Sequence, residues 1–206
     1  MSEPREVAGE LETVVEGVYH WRIHNSAIGG SLSSAHAVVE IGQSVWIDPL
    51  PLAAPALALL PPPSAIVLTA RCHQRSAWRY RAAFGAEVWL PEHASAAEEE
   101  ADHTYGPGAA LPGGLRALHT PGPELPHYCL LLERDPGVLF CSDLLANDEG
   151  AELRFVPFEY HDDPAATRAS TAALLGEPFT ILCLDHGVPV TSAAKDAIRR
   201  LLASSG

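Results

Sequence analysis

Basic residues, cysteines and long apolar runs are all scarce in this sequence of 206 residues. Its 13 Lys and Arg residues face 26 Asp and Glu residues, a net charge of −13. That balance argues against a nucleic-acid partner, because phosphate binding needs a basic surface. No apolar run approaches the roughly 20 residues of a membrane-spanning helix, and the first six residues do not have the pattern of a signal peptide. The 4 cysteines include no Cys-x-x-Cys pair, which predicts reduced thiols and a cytoplasmic location.

The composition is that of a globular protein. Hydrophobic residues make up 47% and charged residues 19% of the chain. This length can bury one substantial core, so we predict a single domain over residues 1–206. Cys129, Cys141 and Cys183 lie in apolar runs and are interpreted as small core residues.

Strand-like and helix-like segments alternate along the chain, which predicts an α/β protein with mixed sheets covered by helices. Loops are predicted over residues 26–34 and 104–114, where glycine, serine or proline is frequent. The predicted strands span 13–23, 35–41, 44–47, 65–69, 87–90, 115–120, 128–132, 138–140 and 179–184, and the predicted helices span 52–60, 76–84, 94–101, 164–176 and 192–202.

Three of the predicted strands end in residues that bind metals or catalyse hydrolysis. His186-Gly187 follows the apolar run 179–185, Cys72-His73 follows 65–69, and Asp143 follows 137–142. Strand ends meet at the edges of sheets, where functional side chains are commonly placed. The pattern therefore predicts a metal site or a hydrolase site.

The order of motifs resembles the metallo-β-lactamase superfamily over most of the chain, from about residue 14 to residue 202. The resemblance implies a four-layer αββα sandwich of two mixed sheets flanked by helices, with a metal site at one edge of the sheets. The motifs that carry it are Val45-Trp-Ile-Asp-Pro49, Ile66-Val-Leu-Thr69, Phe84-Gly-Ala-Glu-Val-Trp-Leu-Pro91, His119-Thr-Pro-Gly122, Gly137-Val-Leu-Phe-Cys-Ser-Asp143 and Asp185-His-Gly-Val-Pro189.

The resemblance transfers seven metal-ligand positions, of which only two keep the residue type of the superfamily. Asp143 matches the bridging carboxylate and His186 the last histidine. Two neighbouring divalent cations need several anionic or imidazole ligands, so an ordinary dinuclear hydrolase is not expected here. In chain order the seven positions hold Ala70, Cys72, Gln74, Arg75, Pro123, Asp143 and His186.

Enough donors remain for one metal ion, bound by Asp143 and His186 together with Cys72, His73 or His127. Zinc is the first choice for such a set, with iron or manganese as alternatives. Each residue also has a structural interpretation: Asp143 as a turn residue, Cys72 as an inert loop thiol, and His127 as a surface residue at a strand start.

Three functional hypotheses follow. The favoured one is a non-metal or weak-metal protein that binds a small molecule in the cleft of the superfamily. The second is a mononuclear metal hydrolase of esters, thioesters or lactones, and the third is a Cys-dependent hydrolase or transferase that uses Cys72 and His186 as catalytic residues. Phe155, Phe158 and Tyr160 are expected to line an apolar pocket. Aromatic residues at helical spacing over residues 78–84 belong to the core or to a homodimer contact.

Overall fold

A computed structural model describes residues 3–95, 97–148 and 152–204. The chain divides into two compact units, Met1–Tyr105 and Gly106–Gly206. That the whole chain acts as one domain stays a prediction. Among the described residues, no helix combines the length and apolar character that crossing a membrane requires.

The first unit is built on a sheet of seven strands in the order β1-β2-β3-β4-β5-β6-β7. Neighbouring strands are antiparallel from β1 to β4 and parallel from β4 to β7. The chain therefore changes from hairpins to crossover connections after β4, as the predicted alternation requires. The strands are β1 (Glu12–Val15), β2 (Val18–Asn25), β3 (Ser31–Glu40), β4 (Gln43–Ile47), β5 (Ala65–Val67), β6 (Glu87–Pro91) and β7 (His103–Tyr105).

Two helices, α1 (Ala54–Leu57) and α2 (Ala77–Phe84), pack on this sheet. Tyr80 of α2 contacts Trp46 of β4 edge-on, with their ring centroids 4.8 Å apart, and its hydroxyl donates a hydrogen bond to the carbonyl oxygen of Leu50. Both rings belong to one buried apolar cluster. The aromatic residues at helical spacing in α2 thus include core residues of this unit, one of their two predicted roles.

The second unit contains a sheet of six strands in the order β12-β11-β10-β9-β8, with β13 paired to β11. The pair β11–β13 is parallel and the others are antiparallel, so this sheet is also mixed. The strands are β8 (Ala110–Leu111), β9 (Leu115–His119), β10 (Tyr128–Leu132), β11 (Val138–Ala146), β12 (Arg154–Phe155) and β13 (Ile181–His186).

Helices α3 (Pro164–Leu174) and α4 (Ala194–Ser204) cover this second sheet. Leu174 of α3 and Ile198 of α4 join strand residues in one buried apolar cluster. Asp163 caps α3, since its carboxylate accepts the backbone N–H of Ala166, and Pro164 occupies the first turn. Each unit therefore pairs one mixed sheet with two helices, which confirms the α/β class predicted with the αββα fold.

Most predicted elements are present with shifted ends, and one helix is wrong. The described residues of 94–101, which leave out Ala96, are irregular, with a bend at residues 98 and 99, instead of an acidic helix. The predicted helix 52–60 shrinks to the four residues of α1. Short strands interrupt the predicted loop 104–114. These segments carry little periodic apolar pattern, so local sequence offers little guidance there.

The connection into β11 leaves no room for a side chain at Gly137. A Cβ atom there would lie 2.1 Å from the carbonyl oxygen of Pro178. We expect Gly137→Ala to lower the free energy of unfolding by roughly 1–3 kcal/mol, because backbone must move to admit the methyl group. Urea denaturation of Gly137→Ala measures this loss. Gly9→Ala is the matched control, since nothing lies within 4 Å of the place that its methyl group would take. Equal midpoints for both variants would contradict the close approach.

Candidate functional site

The second unit brings together the two ligand positions that keep their residue type. Nε2 of His186 lies 2.9 Å from Oδ1 of Asp143. The side chains are 20% and 16% exposed, so solvent reaches both. The register between β11 and β13 shifts between Cys141 and Ala146, which places Asp143 in an irregular part of β11. Such irregularities re-aim side chains at functional sites, and here the carboxylate contacts the imidazole at the end of β13.

The turn after His186 is held by Asn147. The side-chain oxygen of Asn147 accepts the backbone N–H of Val188 at 2.8 Å, and its amide nitrogen donates to the carbonyl oxygen of Val188 at 3.1 Å. The backbone N–H of Asn147 also donates to the carbonyl oxygen of His186. Gly187 has φ +151°, and a Cβ atom there would lie 2.1 Å from the Asn147 side chain. The glycine is therefore required for this close approach.

His127 is a buried structural histidine in the second unit. Its Nδ1 lies 2.7 Å from the carbonyl oxygen of Thr120, and its Nε2 accepts the backbone N–H of Asp143 at 3.1 Å. These partners require the neutral ring with the proton on Nδ1. Both nitrogens are therefore engaged with backbone groups, and the ring is 0% exposed. The expected surface position was wrong, and as placed the ring has no lone pair for a metal ion.

His161 is a candidate residue that the sequence analysis did not single out. Its Nδ1 lies 2.7 Å from Oγ1 of Thr167, while its buried Nε2 has no hydrogen-bond partner among the described residues. Burial lowers the pKa of His161, and the Asp143 carboxylate opposes that shift. Its place before helix α3, in a segment without clear periodicity, gave no signal in the sequence.

The first unit holds a second group of polar residues around the Asp48 carboxylate. Oδ1 of Asp48 accepts the backbone N–H of Thr69 at 2.9 Å, and Oδ2 accepts the Thr69 hydroxyl at 2.5 Å. Nδ1 of His73 lies 3.1 Å from Oδ2 of Asp48. Asp48 and His73 are 0% and 3% exposed. The histidine that falls between two ligand positions of the superfamily is therefore held by a buried carboxylate.

Gln74 and Arg75, which stand at two ligand positions, bind protein groups. The Gln74 side-chain oxygen accepts from the indole of Trp78 at 3.0 Å and from the backbone N–H of Glu98 at 2.6 Å. Nη1 of Arg75 donates to the carbonyl oxygens of Ser34 at 2.7 Å and of Asp48 at 3.1 Å. Both side chains are buried. They replace ligands with hydrogen-bond donors and acceptors that complete the local structure.

Cys72 is the one exposed cysteine, while Cys129, Cys141 and Cys183 are buried as predicted. It lies in the 3₁₀ turn Arg71–Gln74. Its Sγ and a ring nitrogen of His73 lie within 4.8 Å of each other. The structure therefore brings together two pairs of predicted site residues, Asp143 with His186 in the second unit and Cys72 with His73 in the first.

The three predicted pocket aromatics lie in one segment of the second unit. The ring centroids of Phe155 and Phe158 are 5.1 Å apart, and Phe158 contacts His161 edge-on with centroids 5.4 Å apart. Tyr160 is 70% exposed. Phe158 thus contacts both Phe155 and a buried histidine, and the role of all three rings as pocket residues stays a prediction.

A pair of buried histidines lies on neighbouring strands of the first sheet. His20 of β2 and His36 of β3 face each other, with ring centroids 5.2 Å apart, and both are 0% exposed. Burial lowers the pKa of His36 well below its usual value, and the neighbouring His20 and Arg75 lower it further. Asp48 acts in the opposite direction. His36 is therefore neutral near pH 7.

No known protein-family pattern matches this sequence, and no curated protein matches it at the level of sequence. Solved structures do match. A metallo-β-lactamase from Pontibacter korlensis aligns with 94% of this chain and 98% of its own at 15% identity, with a TM-score of 0.75. The chain has the metallo-β-lactamase fold.

Further structures of this fold come from other sources. The FIM-1 metallo-β-lactamase of Pseudomonas aeruginosa in a mono-zinc form aligns with 100% of this chain and 99% of its own, at 14% identity and a TM-score of 0.73. An archaeal superfamily protein from Sulfolobus tokodaii, ST1585, aligns with 84% of this chain and 79% of its own, at 14% identity and a TM-score of 0.65. Identities this low support the fold and do not transfer an activity.

The hydrogen bonds of Asn147 predict that the turn after His186 depends on this side chain for its stability. We expect Asn147→Ala to lower the free energy of unfolding by roughly 1 kcal/mol, because it removes two hydrogen bonds from the partly buried backbone groups of Val188. Hydrogen exchange at the Val188 amide should accelerate in this variant. Asn147→Asp is the control, since it keeps the oxygen that accepts this amide. Unchanged exchange in Asn147→Ala would contradict the assigned role.

The buried His36 predicts an acid-sensitive fold. Its folded pKa is lowered from the usual 6.5, so below that pH the unfolded state binds more protons than the folded state. Stability should therefore fall as the pH drops below 6.5, by up to about 1.4 kcal/mol per pH unit for one proton. Urea denaturation between pH 7 and pH 5 should give a shallower loss for His36→Gln. His24→Gln, at an exposed position of β2, is the control, and parallel curves for His36→Gln and the parent would contradict this assignment.

Proposed function

We propose that this protein is a metallo-β-lactamase-fold protein without a dinuclear metal centre, which binds a small polar molecule through Asp143 and His186. The observation that carries the proposal is that two metal-ligand positions of the superfamily hold side chains that bind other groups of this protein. Gln74 and Arg75 are buried and hydrogen-bonded to neighbouring groups. A guanidinium cannot bind a cation, and its charge opposes one nearby.

The chemistry of the remaining donors supports the same proposal. Ala70 and Pro123 have no side-chain donor, and His127 uses both ring nitrogens for backbone groups. Two neighbouring divalent ions need several anionic or imidazole ligands to offset their repulsion. The residues present do not fit such a pair of ions.

The Asp143–His186 pair is suited to a polar ligand. The carboxylate and imidazole already contact each other at 2.9 Å, and both are partly exposed. A ligand with a hydroxyl or amide group can hydrogen-bond to either residue, and neither side chain has to change its conformation. This preorganisation lowers the entropic cost of binding. The free state of all four cysteines supports a cytoplasmic location as part of the proposal.

A mononuclear metal hydrolase of esters, thioesters or lactones is the second candidate. The pair formed by Asp143 and His186 favours it, because carboxylate and imidazole are ordinary ligands of zinc, iron and manganese. FIM-1, a structure of the same fold, is described in a mono-zinc form. A bound ion would act as a Lewis acid for carbonyl substrates.

Metal content separates the two candidates. We expect protein purified without chelators or added metal to carry far less than one zinc, iron or manganese per chain by inductively coupled plasma mass spectrometry. The variant Asp143→Ala/His186→Ala should give the same low value. Near-stoichiometric metal that disappears in this variant would contradict the proposal and establish the mononuclear candidate. His127→Gln is a control that should not change the metal content in either case.

A further inference from the structure

The first unit places a thiol, an imidazole and a carboxylate close together. Cys72 is exposed, and its Sγ lies within 4.8 Å of a ring nitrogen of His73. Nδ1 of His73 lies 3.1 Å from Oδ2 of the buried Asp48. All three residues belong to Met1–Tyr105. This is the order of groups that activates a cysteine nucleophile in hydrolases and acyl transferases.

The carboxylate is held in a fixed position. Two hydrogen bonds from Thr69 fix the Asp48 oxygens, and Asp48 is completely buried. A carboxylate fixed in this way sets the orientation of the imidazole and stabilises its protonated form. Separations between nucleophile and base are often long before a substrate binds, so a separation of up to 4.8 Å between the Cys72 sulfur and the ring nitrogen is compatible with proton transfer after a small side-chain movement.

We propose that Cys72 is a nucleophile for activated acyl groups such as thioesters, with His73 as its base and Asp48 as the positioning residue. This goes beyond the proposed binding function and does not depend on Asp143 or His186.

Transfer of the acyl group from a thioester to Cys72 needs no reactant besides the thioester. His73 takes the proton of the Cys72 thiol, the sulfur forms a bond to the acyl carbon, and the carbon–sulfur bond of the thioester breaks. The leaving thiolate takes the proton from His73. Acyl-Cys72 and a free thiol result, and water or an amine can then accept the acyl group with release of the Cys72 thiol.

The other cysteines serve as internal controls. Cys129, Cys141 and Cys183 are all buried, and burial raises the pKa of the Cys141 and Cys183 thiols. Selective modification of the folded protein should therefore report on Cys72 alone.

The test is acetylation of the full chain by p-nitrophenyl acetate, with and without EDTA. The release of p-nitrophenolate gives the rate, and peptide mapping locates the acetyl groups. We expect acetyl groups at Cys72, at a rate about a hundredfold or more above that of N-acetylcysteine at the same pH. Cys72→Ala should abolish the modification, and His73→Asn should reduce the rate about a hundredfold. Asp48→Asn should reduce it as well, and its pH–rate profile should shift if the carboxylate acts through His73.

Several outcomes would overturn the proposal. A Cys72 rate equal to that of N-acetylcysteine and unchanged in His73→Asn would identify an ordinary exposed thiol. Modification that begins only after EDTA treatment would identify a metal-bound thiolate. Because Asp48→Asn could unfold the chain, circular dichroism checks each variant, and His73→Asn decides the result if Asp48→Asn does not fold. Metal content is measured separately, so failure of this proposal leaves the proposed binding function intact.

Discussion

The buried Asp48 carboxylate is the constraint on which the polar end of the first unit depends. Asp48 follows β4, Thr69 follows β5, and His73 lies in the turn before α2, and the one carboxylate contacts both of the others. Asp48 itself has φ +46°, a conformation that aspartate tolerates better than most residues. Burial of a carboxylate is costly unless its oxygens are hydrogen-bonded. Three segments of chain therefore meet in one arrangement because that carboxylate needs partners.

Arg75 extends the same constraint to the ligand positions. Its guanidinium binds the carbonyl oxygens of Ser34 and Asp48, so it links β3 to the end of β4. Arg75 has φ +40°, an uncommon value that persists only when surrounding contacts hold it. A histidine at this position could not reproduce both hydrogen bonds. Arg75 therefore has a structural role at a position where the superfamily has a metal ligand. Replacing it by a ligand residue would remove these two hydrogen bonds.

The sequence predicted the elements whose signal is local. Hairpins and strand ends follow from periodic apolar patterns. The pairing of Asp143 with His186, 43 residues apart, was expected only from the order of motifs that carries the resemblance. The contact between His73 and Asp48 joins residues 25 apart in sequence, and no periodicity reports it. The same holds for His127, whose partners lie on two other segments, and for His161. Residue type alone could not separate these histidines, because each role depends on long-range hydrogen bonds.

The partners of each ring nitrogen distinguish the three histidines that were candidates for metal binding or catalysis. His127 binds backbone groups through both nitrogens, so its ring is fixed as a neutral cross-link. His73 and His186 each contact a carboxylate, Asp48 and Asp143 respectively. A carboxylate on one nitrogen fixes the tautomer and the orientation of the ring. A ring held this way can serve as a base or a ligand, whereas one bonded to the backbone on both sides has a structural role. Chemistry in this fold should therefore be sought at His73 and at His186.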